Sequence, residues 1–178
     1  MKGWNDFIII KKILDEMGVP FFVHSGSALG VYRDKQIIVR GSNSIGIGII
    51  GMNRSDDIKN KMIDAGFRLK ETFSHDVDLG GGIISRIDLP LVGLIEFYKE
   101  SQGMIYFFFP EEKYFQSYLN KDAKYVYFPL EFNIMSPVDI NDTIVYIPGP
   151  TPEYLSWVFG PDWETPKDTK SYPPCQKP

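Results

Sequence analysis

The residues of this 178-residue chain with the most chemical reach lie between His24 and Ile50. His24-Ser25-Gly26-Ser27 reads as a Gly-Ser turn opening a short helix, Arg33-Asp34-Lys35 closes that helix, and a strand follows in which Ser44, Gly46 and Gly48 alternate with Ile45, Ile47 and Ile49. A helix N-terminus offers unpaired N–H groups and the positive end of its dipole, so Gly26 and Ser27 suit a phosphate group. The plainer alternative is an ordinary strand-to-helix turn. Side chains alternate along a strand, so the isoleucines share a face that packs and the small residues a face left bare for something to approach.

Other groups carry weaker signals. Asp76 and Asp78 have the alternate spacing that could hold a cation, a weak alternative metal site, but Gly80, Gly81 and Gly82 beside them favour a polar hairpin loop. Glu96 is a lone carboxylate within Leu94-Ile95-Glu96-Phe97-Tyr98 and either meets solvent or serves a site. His24 and His75 lie far apart and Cys175 sits in the tail, so a Cys-His nucleophile pair is not expected. Ser25 or Ser27 with His24 lacks the elbow pattern of a hydrolase. One cysteine excludes an internal disulfide and a multi-cysteine zinc site.

The elements that must position these residues follow from periodicity and breakers. Phe7, Ile10, Leu14 and Met17 predict an amphipathic helix capped at Asn5 or Asp6 and stopped at Gly18. Residues 19–23 read as a short buried strand delivering His24, Ile37 to Val39 as the start of a new extended segment, and Ser55 as the cap of a covering helix with Ile58, Met62 and Ala65 on one face. Strands are predicted at 67–73, 83–88, 91–98, 104–109, 125–128 and 143–146. Glu111 to Asn120 reads as a short helix or as a loop anchored by its aromatics, and Pro152 to Phe159 as a helix. The aromatic run Tyr106 to Phe109 is core and sheet surface or, with Tyr114, Phe115, Tyr118, Tyr125, Tyr127 and Phe128, an exposed patch for a protein partner.

Bulk properties bound the rest. With 43% hydrophobic and 15% aromatic residues the chain can bury one core, read as a single domain over 1–164 followed by a proline-rich tail over 165–178. A net charge of −4 without a basic block argues against nucleic acid. The run Phe7 to Ile10 meets Lys11 and Lys12 at once, unlike a signal peptide, and no stretch approaches the ~20 apolar residues of a membrane span. A soluble, intracellular protein is expected.

Gly18-Val19-Pro20-Phe21-Phe22 leading into Ser25-Gly26-Ser27-Ala28-Leu29-Gly30-Val31-Tyr32-Arg33-Asp34 resembles the opening of the LicD and fukutin-related group of nucleotidyltransferase-fold proteins. Ile144-Val145-Tyr146-Ile147-Pro148, then Glu153-Tyr154-Leu155, then Phe159-Gly160-Pro161-Asp162-Trp163-Glu164-Thr165-Pro166, is similar to that family's closing pattern. The resemblance implies an α+β fold: a nucleotidyltransferase-like mixed β-sheet, helices covering one side, and a β-rich C-terminal half. It further implies transfer of a phosphate-linked group, of the phosphocholine or polyol phosphate type, from a nucleotide donor onto a glycan.

In such a fold, carboxylates on alternate strand positions hold Mg²⁺ or Mn²⁺ against the donor phosphates. The resemblance places those carboxylates at Ser42, Asn43, Ser44 and Gly46, all uncharged here, and makes Glu96 the candidate catalytic carboxylate on a later strand. Gly26, Ser27 and Arg33 are the implied phosphate- or nucleotide-binding residues. The resulting expectation is a degenerate metal site with no metal or other cofactor, on a catalytically impaired protein that binds a nucleotide or phosphate-bearing small molecule. The alternative is an active Mg²⁺- or Mn²⁺-dependent transferase whose cation site is rebuilt from Glu96, Asp76 and Asp78. Ser44 and Glu96 facing each other across adjacent strands would support the fold.

Overall fold

The computed structural model describes residues 1–39, 42–50, 54–74, 76–78, 83–85, 92–108, 114–118, 125–129 and 134–167. In chain order the elements are α1 (Trp4–Glu16), β1 (Phe21–Val23), α2 (Gly26–Leu29) running into a π-helical turn (Gly30–Asp34), β2 (Ser44–Ile50), α3 (Ser55–Asp64), β3 (Arg68–Ser74), β4 (Asp76–Asp78), β5 (Ile83–Ser85), β6 (Val92–Tyr98), β7 (Gln102–Phe108), β8 (Tyr114–Tyr118), β9 (Tyr125–Pro129), β10 (Ile134–Ile140), β11 (Thr143–Gly149) and α4 (Thr151–Phe159). His75, Gly80 to Gly82, Phe109, Cys175 and the tail beyond residue 167 lie outside the described residues, so what the sequence implies for them is not carried further.

A five-stranded mixed sheet in the order β1-β2-β7-β6-β3 forms the centre. Only β2 and β7 run parallel; the other neighbours are antiparallel. Period-two alternation divides its residues as the sequence predicts. Ile45, Ile47, Ile49, Ile95, Phe97, Ile105 and Phe107 are all buried on one face and join Phe7, Ile10 and Leu14 of α1 and Ile58 and Met62 of α3 in a single core. Each such side chain taken from water contributes roughly 1.5–3 kcal/mol, which makes this face the main source of stability.

The opposite face carries the chemistry. The register aligns Ser44 with Gln102, Tyr98 and Arg68 in one row, and Gly46 with Met104, Glu96 and Lys70 in the next. Glu96 and Ser44 therefore share a face but do not sit on adjacent strands, because β7 lies between β2 and β6.

Several local expectations are corrected. Helix α1 is capped by Gly3, in left-handed backbone with φ 74°, and not by Asn5 or Asp6. Asp6 instead turns inward, where its Oδ2 accepts hydrogen bonds from the Ser101 N–H at 2.6 Å and the Ser101 hydroxyl at 2.7 Å. Charge-assisted bonds of this kind are the strong ones, so Asp6 ties α1 to the turn between β6 and β7. Ile37 to Val39 begin no strand: Lys35 reverses the chain at φ 53°, the Gln36 N–H returns to the Gly30 carbonyl at 3.0 Å, and the three apolar side chains plug the core.

Residues 114–118 form a strand paired antiparallel with β9, and not a helix or loop. Tyr and Phe favour the pleated surface, and the alternation of Tyr114, Gln116 and Tyr118 with Phe115 and Ser117 is a strand period. Strand β10 has no counterpart in the sequence reading, because Pro137 interrupts it; an edge position in a two-stranded ribbon tolerates that proline. Asn141 and Asp142, both at positive φ, close its hairpin with β11, the geometry that two-residue hairpin turns prefer. Among the described residues no helix is long and apolar enough to cross a membrane.

Candidate functional site

The chain reaches the bare face of the sheet through β1. At its end the His24 N–H donates to the Gly46 carbonyl at 3.0 Å, and Ser25 takes a left-handed conformation with φ 52° that throws the chain into α2. A non-glycine residue at positive φ is strained, and something must hold it. Here the holder is distant in sequence: the Tyr154 hydroxyl of α4 accepts the Ser25 N–H at 2.9 Å and lies 2.8 Å from His24 Nδ1.

His24 is buried among aromatic rings, edge-on to Tyr106 at 5.2 Å and to Phe22 at 6.2 Å. Burial disfavours its charged form and lowers its pKa from 6.5 to about 3. Tyr106 is shifted the other way, well above the ordinary phenol range, by burial and then by the charge of Glu96. Its hydroxyl stays protonated and donates to Met104 Sδ at 3.3 Å.

These residues enclose a cavity of about 230 Å³. Gly26 and Ser27 line one side, Ser42, Ser44 and Gly46 face them from the head of β2, and Met104, Tyr106 and Phe159 supply apolar walls. The Ser27 hydroxyl accepts the Gly46 N–H at 2.9 Å, which locks the turn to the strand. Ser42 Oγ accepts the Ser44 N–H at 3.2 Å and lies 3.4 Å from Ser44 Oγ. The Gly-Ser turn and the strand head are thus brought to one cavity, two residue sets that the sequence could relate only by resemblance.

The other candidates are placed differently. Asn43 accepts a hydrogen bond from Lys2 Nζ at 2.6 Å and lines a different concavity. Gly46 lines the first cavity but has no room for a side chain, since a Cβ there would stand 2.8 Å from the His24 carbonyl oxygen. Of the four uncharged positions, Ser42, Ser44 and Gly46 line this cavity, and of these only Ser42 and Ser44 bring a side chain to it. Arg33 is bound to Asp34 through Nε at 2.7 Å and Nη2 at 2.9 Å, and its Nη1 donates to the Trp163 carbonyl at 2.9 Å. With Tyr32 ringed against Trp163 at 5.8 Å, Arg33 fastens the π-helical turn to the C-terminal turn.

Glu96 is bonded by the Tyr98 hydroxyl at 2.6 Å and sits 3.8 Å from Lys70 Nζ. Asp76 and Asp78 belong to the separate β4–β5 ribbon, paired with Ser85 and Ile83, and their side chains lie outside the described residues. Sequence reasoning missed Tyr154, Met104 and Phe159 as parts of the site. Tyr154 carried a usable signal, as a polar aromatic in an apolar helix within the closing pattern.

The donor set at the cavity does not fit a divalent cation. Hydroxyl oxygens alone do not repay such an ion for its lost water, which takes carboxylate charge. Among the described residues no three of His, Cys, Asp and Glu gather closely enough to hold a metal.

No protein-family model matches the chain. It is 31% identical over 176 residues to Ribitol-5-phosphate transferase FKTN of Homo sapiens and 29% identical over 175 residues to that of Mus musculus, in each case across 94% of this chain and 35% of the relative. The chain thus spans about a third of the length of the curated relatives it matches. Among solved structures, the lincomycin-bound lincosamide antibiotic adenylyltransferase LnuA superposes with a TM-score of 0.51 at 13% identity, over 82% of this chain and 80% of that one. The chain has an α+β, nucleotidyltransferase-like fold and weak sequence similarity to Ribitol-5-phosphate transferase FKTN.

Proposed function

We propose that this chain is a fukutin-like, nucleotidyltransferase-fold domain whose metal site has degenerated, and that it acts as a binding or structural component without efficient group transfer. Its ligand is a nucleotide or a phosphate-bearing small molecule, with a phosphate-linked polyol as the class suggested by the relatives' name. It is held at Gly26 and Ser27. The observation that carries this reading is the pair Ser42 and Ser44, two hydroxyls at the cavity where the fold's chemistry calls for carboxylates. Positioning and charge neutralisation supply nearly all of phosphoryl-transfer catalysis, so a site without a cation loses most of its rate.

A rival reading, an active Mg²⁺- or Mn²⁺-dependent transferase, has one observation in its favour. Glu96 lies in the same row of the same sheet face as Gly46, one strand beyond Met104. Calorimetry with Mn²⁺ and a nucleotide separates the two. The degenerate-site reading expects no metal-dependent binding, and micromolar Mn²⁺-dependent binding overturns it. The double substitution Ser42→Asp with Ser44→Asp is expected to create Mn²⁺ binding that EDTA reverses. A folded double variant that binds no Mn²⁺ would refute the assignment of these two positions.

A further inference from the structure

A second concavity, of about 280 Å³, opens where β2 and β7 begin and β6 ends, and it is unlike the first in charge. Lys2, Arg68 and Lys99 converge on it from the N-terminal segment, from β3 and from the turn after β6, with Glu100 the single acid among its described lining residues. Two of the three cations are held by neutral groups. Lys2 Nζ donates to Asn43 Oδ1 at 2.6 Å, and Lys99 Nζ donates to the Ala65 carbonyl at 2.6 Å while standing 5.0 Å over the Phe67 ring. Arg68 is exposed on the sheet edge.

Among the described residues none of these three cations is in an ion pair, whereas Lys11, Arg33, Lys59 and Lys70 each sit against a carboxylate. In a chain of net charge −4, three cations outside any ion pair around one recess, against Glu100 alone among its described lining residues, are a local field and not a reflection of composition. Such a recess concentrates anions. Its small volume and the acidic chain around it argue for a small polyanion over a nucleic-acid strand, which requires an extended basic surface.

We propose that this recess is an oxyanion site for a small phosphorylated ligand of the pyrophosphate or phosphate-ester class, working without a divalent metal. It adjoins the first cavity: Gln102 on its wall pairs in register with Ser44, and Asn43 stands between Ser42 and Ser44. A ligand whose phosphate sits among Lys2, Arg68 and Lys99 can extend a polar remainder past Gln102 towards the hydroxyls of Ser42 and Ser44. The recess stands whatever the fate of the metal reading, because none of its cations belongs to the first cavity.

The test is an amide NMR titration of the full chain with pyrophosphate in the presence of EDTA. The expected result is saturable shifts at Arg68, Lys99 and Gln102, with an affinity that falls as salt is added. Arg68→Gln should weaken binding about tenfold, and Arg68→Gln with Lys99→Gln further still. Thermal melts of both variants check that these surface changes leave the fold intact. Shifts confined to Ser25–Ser27 and Ser42–Ser44, non-saturating shifts, or unchanged affinity in the folded variants would overturn the proposal. Because the Mn²⁺ experiment on the Ser42→Asp, Ser44→Asp variant reads the other cavity, failure of one is distinct from failure of the other.

Discussion

Acid should destabilise this protein through His24. The imidazole is 1% exposed, and burial lowers its pKa from 6.5 to about 3. In the unfolded chain the same group takes up a proton below its ordinary value, while the folded chain does not until about pH 3. Between these limits the unfolded state binds more protons, so stability falls as pH falls, by 1.36 kcal/mol per unit once the unfolded imidazole is fully charged. Working this through from pH 7 to pH 5 gives a loss of about 2 kcal/mol from His24 alone.

Urea denaturation followed by tryptophan fluorescence across that range measures it. The comparison is with His24→Gln, which keeps hydrogen-bonding capacity and removes the proton. The variant is expected to start less stable but to show a flatter pH dependence, the two curves converging by about 2 kcal/mol at pH 5. Imidazole NMR gives an independent reading, with the His24 ring still neutral at pH 5. Parallel curves, or a His24 resonance that titrates near its ordinary value, would refute the assignment of His24 as a neutral buried group.

Two further substitutions bear on the site. Tyr154→Phe deletes the hydroxyl that accepts the Ser25 N–H and meets His24 Nδ1, and it should cost about 1–3 kcal/mol by leaving buried groups unbonded; chemical denaturation measures the loss, and amide shifts concentrated at Ser25 to Ser27 would show that it falls on the turn. Gly46→Ala forces a Cβ to within 2.8 Å of the His24 carbonyl oxygen, so β1 and β2 must part, at about 1–3 kcal/mol of overpacking; an unchanged melting temperature would show that the strands yield freely.

How much of the site was legible depended on whether its residues interact with sequence neighbours. The alternation of Ile45, Ile47 and Ile49 with Ser44, Gly46 and Gly48 is local, and the sheet realises it directly. The helix over residues 4–16 was legible for the same reason, although Asp6 was misread as a cap because its partner, Ser101, lies 95 residues away. Arg33, named from the sequence as a phosphate-binding residue, meets Asp34 and the Trp163 carbonyl. The aromatic segment 114–118 was ambiguous because a short apolar run satisfies helix and strand equally until a partner strand selects one.

By itself the sequence determined the two-faced central strand and the absence of charge at the head of β2, since periodicity and side-chain identity need no third dimension, and it pointed to the fold class through its resemblance to a known family. Tertiary structure alone decided which uncharged positions look into the cavity. Ser42 and Ser44 do, Asn43 meets Lys2, and Gly46 lines it with backbone alone because the His24 carbonyl leaves no room for a side chain. It also decided what holds the Gly-Ser turn, because the strained backbone of Ser25 rests on the hydroxyl of Tyr154, 129 residues later. The physical reason is common to both: a strand's alternation is fixed by its own covalent geometry, whereas a hydrogen bond or a steric limit between distant segments exists only after the chain has closed on itself.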